Sequence, residues 1–354
     1  MFLRNYWYVA AWKNEVEVGK ILGRTLLNEP VIMFRTSDGK AHAFEDRCCH
    51  RRAPLSLGRM IGDKLQCGYH GLVYTADGKV VGIPGQTMVP PGAQVRTYPV
   101  VEKHNFVWMW MGDAADADPA KIPDHMYHTN DDPKWKPVTG YLNFKCNYTM
   151  LVDNLLDLTH ETFLHAKTIG NEHVANTPLA KVDRDEKGVT ATRWMYNIEP
   201  PPFFQRAGKY PPGTKVDRWQ NIRWEPPAHV TLDVGVALAG TGAPQGDRSQ
   251  GISHVVMDAL TPETERSTHY FWSFPRNYRL DDQDLSDFFQ KGVHATFLED
   301  QGMLEGQQRI IDAAPDAKEI DINADTAQMQ FRRMTARLLA EEAKSRGETR
   351  QAAE

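Results

Sequence analysis

Cys48-Cys49-His50 and Cys67-Gly68-Tyr69-His70, with sixteen residues between them, constrain this chain more than any other feature. Each cluster offers one thiolate and one imidazole within two or three positions. That C-x-H…C-x-x-H spacing suits two facing loop tips that close on a shared inorganic group. A [2Fe–2S] cluster with Cys48 and Cys67 on one iron and His50 and His70 on the other fits the donor set. Neutral imidazoles in place of two thiolates leave such a cluster less negative, so it accepts an electron more readily. Zinc also takes Cys₂His₂ sets, but zinc-finger spacing pairs Cys with Cys and His with His. Here each loop carries one of each.

The rest of the composition narrows the class. A chain of 354 residues can bury substantial cores and fits a two-domain prior. A formal charge of −5 gives no sign of nucleic-acid or anionic-membrane binding. No run approaches eighteen apolar residues, and the first residues lack the apolar stretch of a signal peptide. Four Cys in so long a chain, two of them in the paired clusters, leave no disulfide framework. The expected compartment is the cytoplasm, where thiolates stay reduced.

Short apolar runs broken by turn signals fill residues 6–112. Ser37-Asp38-Gly39, Ala76-Asp77-Gly78 and Gly112-Asp113 punctuate them, and this reads as antiparallel strands and hairpins. A linker broken by Pro119, Pro123, Pro133 and Pro137 spans 113–137. Beyond it a strand is expected over 138–146 and a helix over 148–158. Further strands are expected at 189–196, 229–237, 254–260 and 268–274, then helices at 282–312 and 324–345. Strands followed by long helices argue for an α+β fold. The expected domains are therefore 1–137, with the linker, and 138–354.

A second set of metal-competent residues lies in Asn154-Leu155-Leu156-Asp157-Leu158-Thr159-His160-Glu161-Thr162-Phe163-Leu164-His165. Asp157 and His160, three apart, would share a helix face. His160 and His165, five apart, fit one continuous helix poorly, so the helix is expected to loosen near Glu161. Two His and one distant carboxylate make a facial triad for non-haem Fe(II), with open positions for O₂ and substrate. Without context the pair reads equally well as two helix-end histidines hydrogen-bonded in a core.

The N-x₂-D-x₂-H-x₄-H stretch downstream of C-x-H…C-x-x-H resembles the Rieske non-haem iron oxygenases, over nearly the whole chain. The resemblance implies an N-terminal antiparallel-β Rieske domain and a C-terminal helix-grip catalytic domain, a sheet around a long helix. It implies a third iron ligand from a late helix. The matching residues, Glu299-Asp300 followed by Met303-Leu304-Glu305 and Gln307-Gln308, make Asp300 that ligand and Glu299 its local rival. Adjacent helical residues point about 100° apart, so both cannot face one ion. Cys49 stands where the family more often has Pro, which makes it a bystander thiol. The resemblance further implies a head-to-tail homotrimer, with Asp157 bridging His160 of one chain and His70 of the next, and Asn154 beside the iron.

Asn5-Tyr6-Trp7-Tyr8-Val9, Val216-Asp217-Arg218-Trp219-Gln220 and Pro226-Pro227-Ala228-His229 are similar to vanillate O-demethylase oxygenases. Arg24-Thr25-Leu26-Leu27 and Arg47-Cys48-Cys49-His50-Arg51 are similar to toluene-sulfonate methyl monooxygenases. Both groups act on a methyl substituent of an anionic aromatic ring. The resemblance implies electrons from a separate flavin and plant-type ferredoxin reductase, since no nucleotide-binding glycine pattern occurs here. Alternation puts His229, Thr231 and Asp233 on one strand face, where they are candidate substrate contacts. His254, Tyr270 and Trp272 on neighbouring strands are others, and Arg218 or Arg223 could meet a carboxylate. Trp108 and Trp110 are expected in the core.

Overall fold

A computed structural model describes residues 1–346. The chain forms two compact units: Met1–Ile122 with Thr261–Glu265, and Pro123–Leu260 with Arg266 onward. The proline-broken linker is thus divided, its residues up to Ile122 grouping with the first unit and those from Pro123 with the second.

The first unit is built of short strands. These are β1 (Trp7–Trp12), β2 (Ile21–Leu26), β3 (Glu29–Arg35), β4 (Ala41–Glu45), β5 (Arg59–Ile61) and β6 (Lys64–Gln66). They continue with β7 (Val73–Tyr74), β8 (Val80–Gly82), β9 (Thr97–Tyr98), β10 (Val100–Lys103) and β11 (Phe106–Trp110). Three antiparallel sheets result, ordered β1-β11-β10, β2-β3-β4-β9 and β5-β6-β7-β8. β1 and β11 are buried along their whole length, so their sequences, WYVAAW and FVWMW, run apolar without alternation. Trp108 and Trp110 are fully buried, as their sequence suggests. Left-handed residues close the two-residue hairpins, Leu27-Asn28 between β2 and β3 and His104-Asn105 between β10 and β11.

The second unit holds one seven-stranded antiparallel sheet and the long helices. In chain order its elements are β12 (Lys136–Phe144), α1 (Tyr148–Leu156), α2 (Glu161–Leu164), α3 (Glu172–Asn176), β13 (Lys181–Arg184) and β14 (Val189–Ile198). Then come α4 (Pro202–Gly208), β15 (Val216–Glu225), β16 (His229–Leu238), β17 (Gly251–Thr264), β18 (Ser267–Arg276), α5 (Gln283–Ala313) and α6 (Thr326–Ser345). The sheet runs β12-β18-β17-β16-β15-β14-β13. α5 lies on it, with Phe289 and Phe297 against Phe274, Trp272 and Tyr270 of β18. The fold is α+β as expected, an antiparallel-β unit followed by a mixed unit of one sheet and long helices.

Two local expectations fail. β15 was not expected, because its inward face carries Arg218 and Gln220, both buried, which hides the apolar alternation of a strand. The helix expected over 148–158 stops at Leu156. Asp157 is extended (φ −124°, ψ 101°), so it and His160 share no helix face.

Candidate active site and cluster-binding loops

The two Cys/His loops close in the same way. The Cys48 carbonyl accepts from Arg52 N–H (3.0 Å), and Cys48 N–H donates to the Ala53 carbonyl (2.8 Å). In the second loop the Cys67 carbonyl accepts from Gly71 N–H (3.1 Å), and Cys67 N–H donates to the Leu72 carbonyl (2.8 Å). The fifth residue of each loop is left-handed, Arg52 at φ 58° and Gly71 at φ 75°. Gly68 lets the second loop pass closely by the short helical turn at Leu55–Leu57, since a Cβ there would lie 2.4 Å from the Leu57 carbonyl oxygen.

Both thiols point inward and are 2% exposed, while the two imidazoles stand at the exposed tips with ring centroids 4.6 Å apart. Tyr74 hydroxyl accepts from Cys49 N–H (3.2 Å) and lies 3.0 Å from Cys48 Sγ, to which its own proton can be donated. Burial raises the phenol pKa, which keeps that proton in place. Cys49 itself is exposed. Two buried sulfurs backed by a hydroxyl donor, with two imidazoles at the rim, fit a cluster held by its thiolate end.

In the second unit, the break after α1 sets the other site. Asp157 caps the following turn (158–160), its carboxylate accepting from Thr159 N–H (2.9 Å) and Thr159 Oγ1 (2.7 Å). The Asp157 backbone carbonyl accepts from His160 Nδ1 (2.7 Å). Within the chain the His160 ring is thus held by the Asp157 carbonyl, while the carboxylate bonds Thr159. The chain loosens at Asp157, four residues earlier than expected. His165 ends α2, and its Nδ1 bonds Glu299 Oε2 (2.7 Å).

Both imidazoles are thus pinned through Nδ1, which turns both Nε2 atoms toward Asp300. His165 Nε2 lies 3.2 Å and His160 Nε2 3.6 Å from Asp300 Oδ1. One donor atom from each of the three falls within 4.8 Å of the others. Asn154 Nδ2 donates to Asp300 Oδ1 (3.1 Å), close to the place expected of it. Burial opposes a charged His165, yet hydrogen bonds to Asp300 and Glu299 and the charges of Asp300 and Glu161 outweigh it and raise its pKa. The same carboxylate pull that holds a proton there can hold a cation instead.

The triad opens on a cavity lined mainly by apolar side chains, among them Leu158, Phe203, Phe204, Leu232, Val234 and Phe274. Strand register decides which polar groups reach it. Leu232 and Val234 pair across to Ile222 and Gln220 of β15, and to Val256 and His254 of β17. His229, Thr231 and Asp233 occupy the opposite face of β16. His229 meets Tyr127 hydroxyl (3.3 Å), and Asp233 is taken up by Trp219, Asn221 and Arg248. Alternation grouped those three correctly but put the wrong face toward the cavity.

His254, Tyr270 and Trp272 stand one layer behind the wall. His254 stacks on Phe274, Trp272 packs on Phe297, and Tyr270 hydroxyl donates to Asp258 (3.0 Å). Of the two arginines, Arg218 lines the cavity, whereas Arg223 pairs with Asp185 and Glu225 away from it. Glu161 and Asp258, which line the same cavity, were missed. Their signal was a carboxylate set among side chains that the fold buries, Glu161 within the histidine segment and Asp258 in the apolar run Val255-Val256-Met257-Asp258-Ala259-Leu260.

Residues 6–99 match the Rieske [2Fe–2S] domain, and residues 144–341 match the vanillate O-demethylase oxygenase C-terminal domain. The chain belongs to the Rieske oxygenases. This oxygenase is 42% identical over 346 residues to the iron-sulfur subunit of the toluene-4-sulfonate monooxygenase system of Comamonas testosteroni, covering 97% of this chain and 98% of that one. It is 40% identical over 346 residues to a vanillate O-demethylase oxygenase subunit of a Pseudomonas species, covering 97% and 96%. Dicamba monooxygenase bound to dicamba superposes with a TM-score of 0.87 at 33% identity, over 97% of this chain and 99% of that one. The oxygenase uses a Rieske [2Fe–2S] cluster and a mononuclear iron. No helix among the described residues is long and apolar enough to cross a membrane.

Proposed function

We propose that this protein is the oxygenase component of a two-component monooxygenase that O-demethylates a methoxybenzoate such as vanillate, giving the phenol and formaldehyde. Electrons would come from NAD(P)H through a separate flavin and plant-type ferredoxin reductase, in a cytoplasmic homotrimer. The observation that carries the reading is the His160, His165 and Asp300 donor set opening directly on an apolar cavity. Cys48, His50, Cys67 and His70 would hold the cluster, and the triad the ferrous ion.

When bound, the iron supplies activation of O₂ beside a methyl group. The residues themselves supply position and dryness. Asn154 and Glu299 fix Asp300 and His165, the Asp157 carbonyl fixes His160, and Phe203, Phe204 and Phe274 exclude water from a flat ring. The overall balance is methyl ether, O₂, two electrons and two protons to phenol, formaldehyde and water. A second reading, hydroxylation of the methyl group of an aryl sulfonate, is favoured by the similarity to the toluene-4-sulfonate system.

The test is turnover of the iron-loaded protein with a surrogate reductase against methoxybenzoates, methylbenzoates and toluene-4-sulfonate. Formaldehyde from methoxybenzoates alone supports demethylation. A benzylic alcohol from toluene-4-sulfonate, without formaldehyde from any ether, moves the assignment to the second reading.

A further inference from the structure

Among the described residues lining the cavity, two carry buried side-chain polar atoms with no partner: Arg218 at Nε and Nη1, and Asp258 at Oδ2. The other polar groups of the wall are occupied. Asn154 bonds Asp300, both Glu161 oxygens are taken, and Thr296 bonds the Gly292 carbonyl.

Arg218 is 2% exposed and fixed from behind. Glu161 Oε2 accepts from Nη2 (2.8 Å), Gln220 Nε2 holds Glu161 Oε1 (2.8 Å), and Phe204 lies under the guanidinium at 5.6 Å. A second buried guanidinium, Arg193, stands behind Gln220 (3.1 Å) and reaches the less buried Asp157 only at 3.7 Å. Only Arg218 bonds the buried Glu161 carboxylate directly, Arg193 being linked to it through Gln220, and Arg218 keeps unpartnered N–H groups in a side chain that lines the cavity. Leaving such donors dry costs about 1–3 kcal/mol per group unless a ligand completes them. Nε shares its edge of the guanidinium with the Glu161-bound Nη2 and not with Nη1, so Nη1 stands as a single charge-assisted donor for an oxyanion.

Asp258 is fully buried, and Tyr270 donates to its Oδ1 (3.0 Å). Burial, together with the nearby Asp300 charge, keeps its pKa well above the carboxylate range despite the Tyr270 bond. A carboxyl that keeps its proton is a hydrogen-bond donor, and Oδ2 is left without a partner in a side chain that lines the cavity.

We propose that the substrate is read at two points, an anionic ring substituent by Nη1 of Arg218 and a second, neutral oxygen substituent by the carboxyl of Asp258. This rests on the aromatic-substrate reading above and specifies which substituents the ring must bear. Calorimetric binding to the iron-loaded protein tests it with 4-methoxybenzoate, its neutral amide 4-methoxybenzamide, toluene-4-sulfonate, vanillate and 3-methylbenzoate.

The wild type is expected to bind 4-methoxybenzoate about 100-fold tighter than the amide. Arg218→Met with Glu161→Gln removes both buried charges together and should bring that ratio close to one without weakening the amide. Arg218→Lys keeps a charge but not the planar head held by Glu161, and should leave roughly tenfold. An unchanged anion preference in either variant overturns the Arg218 assignment. Asp258→Val should weaken vanillate about tenfold while sparing 3-methylbenzoate, and Asp258→Asn, which still donates, should restore vanillate. Equal losses for both ligands overturn the second point. Formaldehyde is scored separately: anion selectivity lost in the Arg218 variants without formaldehyde from any ether keeps this recognition and removes the demethylase reading. Formaldehyde release together with undiminished anion selectivity does the reverse.

Discussion

Asp300 is a carboxylate in an otherwise mostly apolar stripe. Leu285, Phe289, Val293, Phe297, Asp300 and Leu304 recur every three or four residues along α5 and are all buried. Glu299, one position off the stripe, is partly exposed and reaches His165 from the Nδ1 side. Asp300→Ala should therefore lose the mononuclear iron while acid-labile sulfide stays unchanged, by metal analysis of the purified protein. Glu299→Gln should retain iron and weaken it by the ~10–100-fold typical of an outer hydrogen-bond partner. Iron retained in Asp300→Ala would reassign the ligand to Glu299. Tyr74 is the corresponding residue of the cluster loops. A hydroxyl proton aimed at Cys48 Sγ favours the electron-rich reduced state. Tyr74→Phe should lower the cluster midpoint potential by roughly 50 mV, the one-electron equivalent of one hydrogen bond of about 1 kcal/mol. Redox titration followed by optical or paramagnetic signals measures it.

At the scale of elements, the segment from α1 to α2 gains its function by not being one helix. Five residues advance a continuous helix by about 500°, which would leave His160 and His165 some 140° apart. The extended Asp157 lies before both histidines, so they converge through ring orientation, His160 held by the Asp157 carbonyl and His165 by Glu299. The turn that places that carbonyl depends on the Asp157 cap over Thr159. Asp157→Asn preserves an acceptor for the cap, so both metals should stay bound. If the carboxylate also links the two centres between subunits, turnover should collapse while iron and cluster absorbance hold. Asp157→Ala removes the cap as well, costing about 1 kcal/mol of local stability, and should lower iron occupancy too. Full turnover by Asp157→Asn would end the bridging proposal.

For the molecule as a whole, His254 records how tightly the second unit is packed. It sits with no exposure among Phe203, Phe204, Phe274 and Phe289, with Nε2 bonded to Tyr278 (2.8 Å). Burial, and then the Arg276 charge, lower its pKa to about 3. The unfolded chain takes up this proton near the ordinary histidine value of about 6.5, whereas the folded chain resists it until about 3. Stability contributed by the neutral ring is thus complete above about pH 6.5 and falls as the pH drops toward 3. His254→Phe keeps the stacking and removes the titration, so the wild type's Tm advantage, if any, should shrink steadily from pH 7 to 4. A Tm difference independent of pH would contradict this.

The sequence by itself displayed the candidate donors and the order of the units. Cys48, His50, Cys67 and His70 lie on short local loops whose spacing displays a candidate cluster site, while His160 and His165, within one twelve-residue stretch, needed the family resemblance to read as a metal site. The strands at 189–196, 229–237 and 268–274 were legible from apolar runs, with ends that fell short by only a few residues. Tertiary structure alone decided which face those strands turn inward. β16 is buried on both sides over most of its length, so alternation sorted His229, Thr231 and Asp233 together without saying which way they point. β15 was hidden for the converse reason, because Arg218 and Gln220 lie inside only by virtue of Glu161, fifty-odd residues away, which satisfies them. A polar residue reads as surface until the fold supplies its buried partner, and that pairing is a long-range property no local pattern carries.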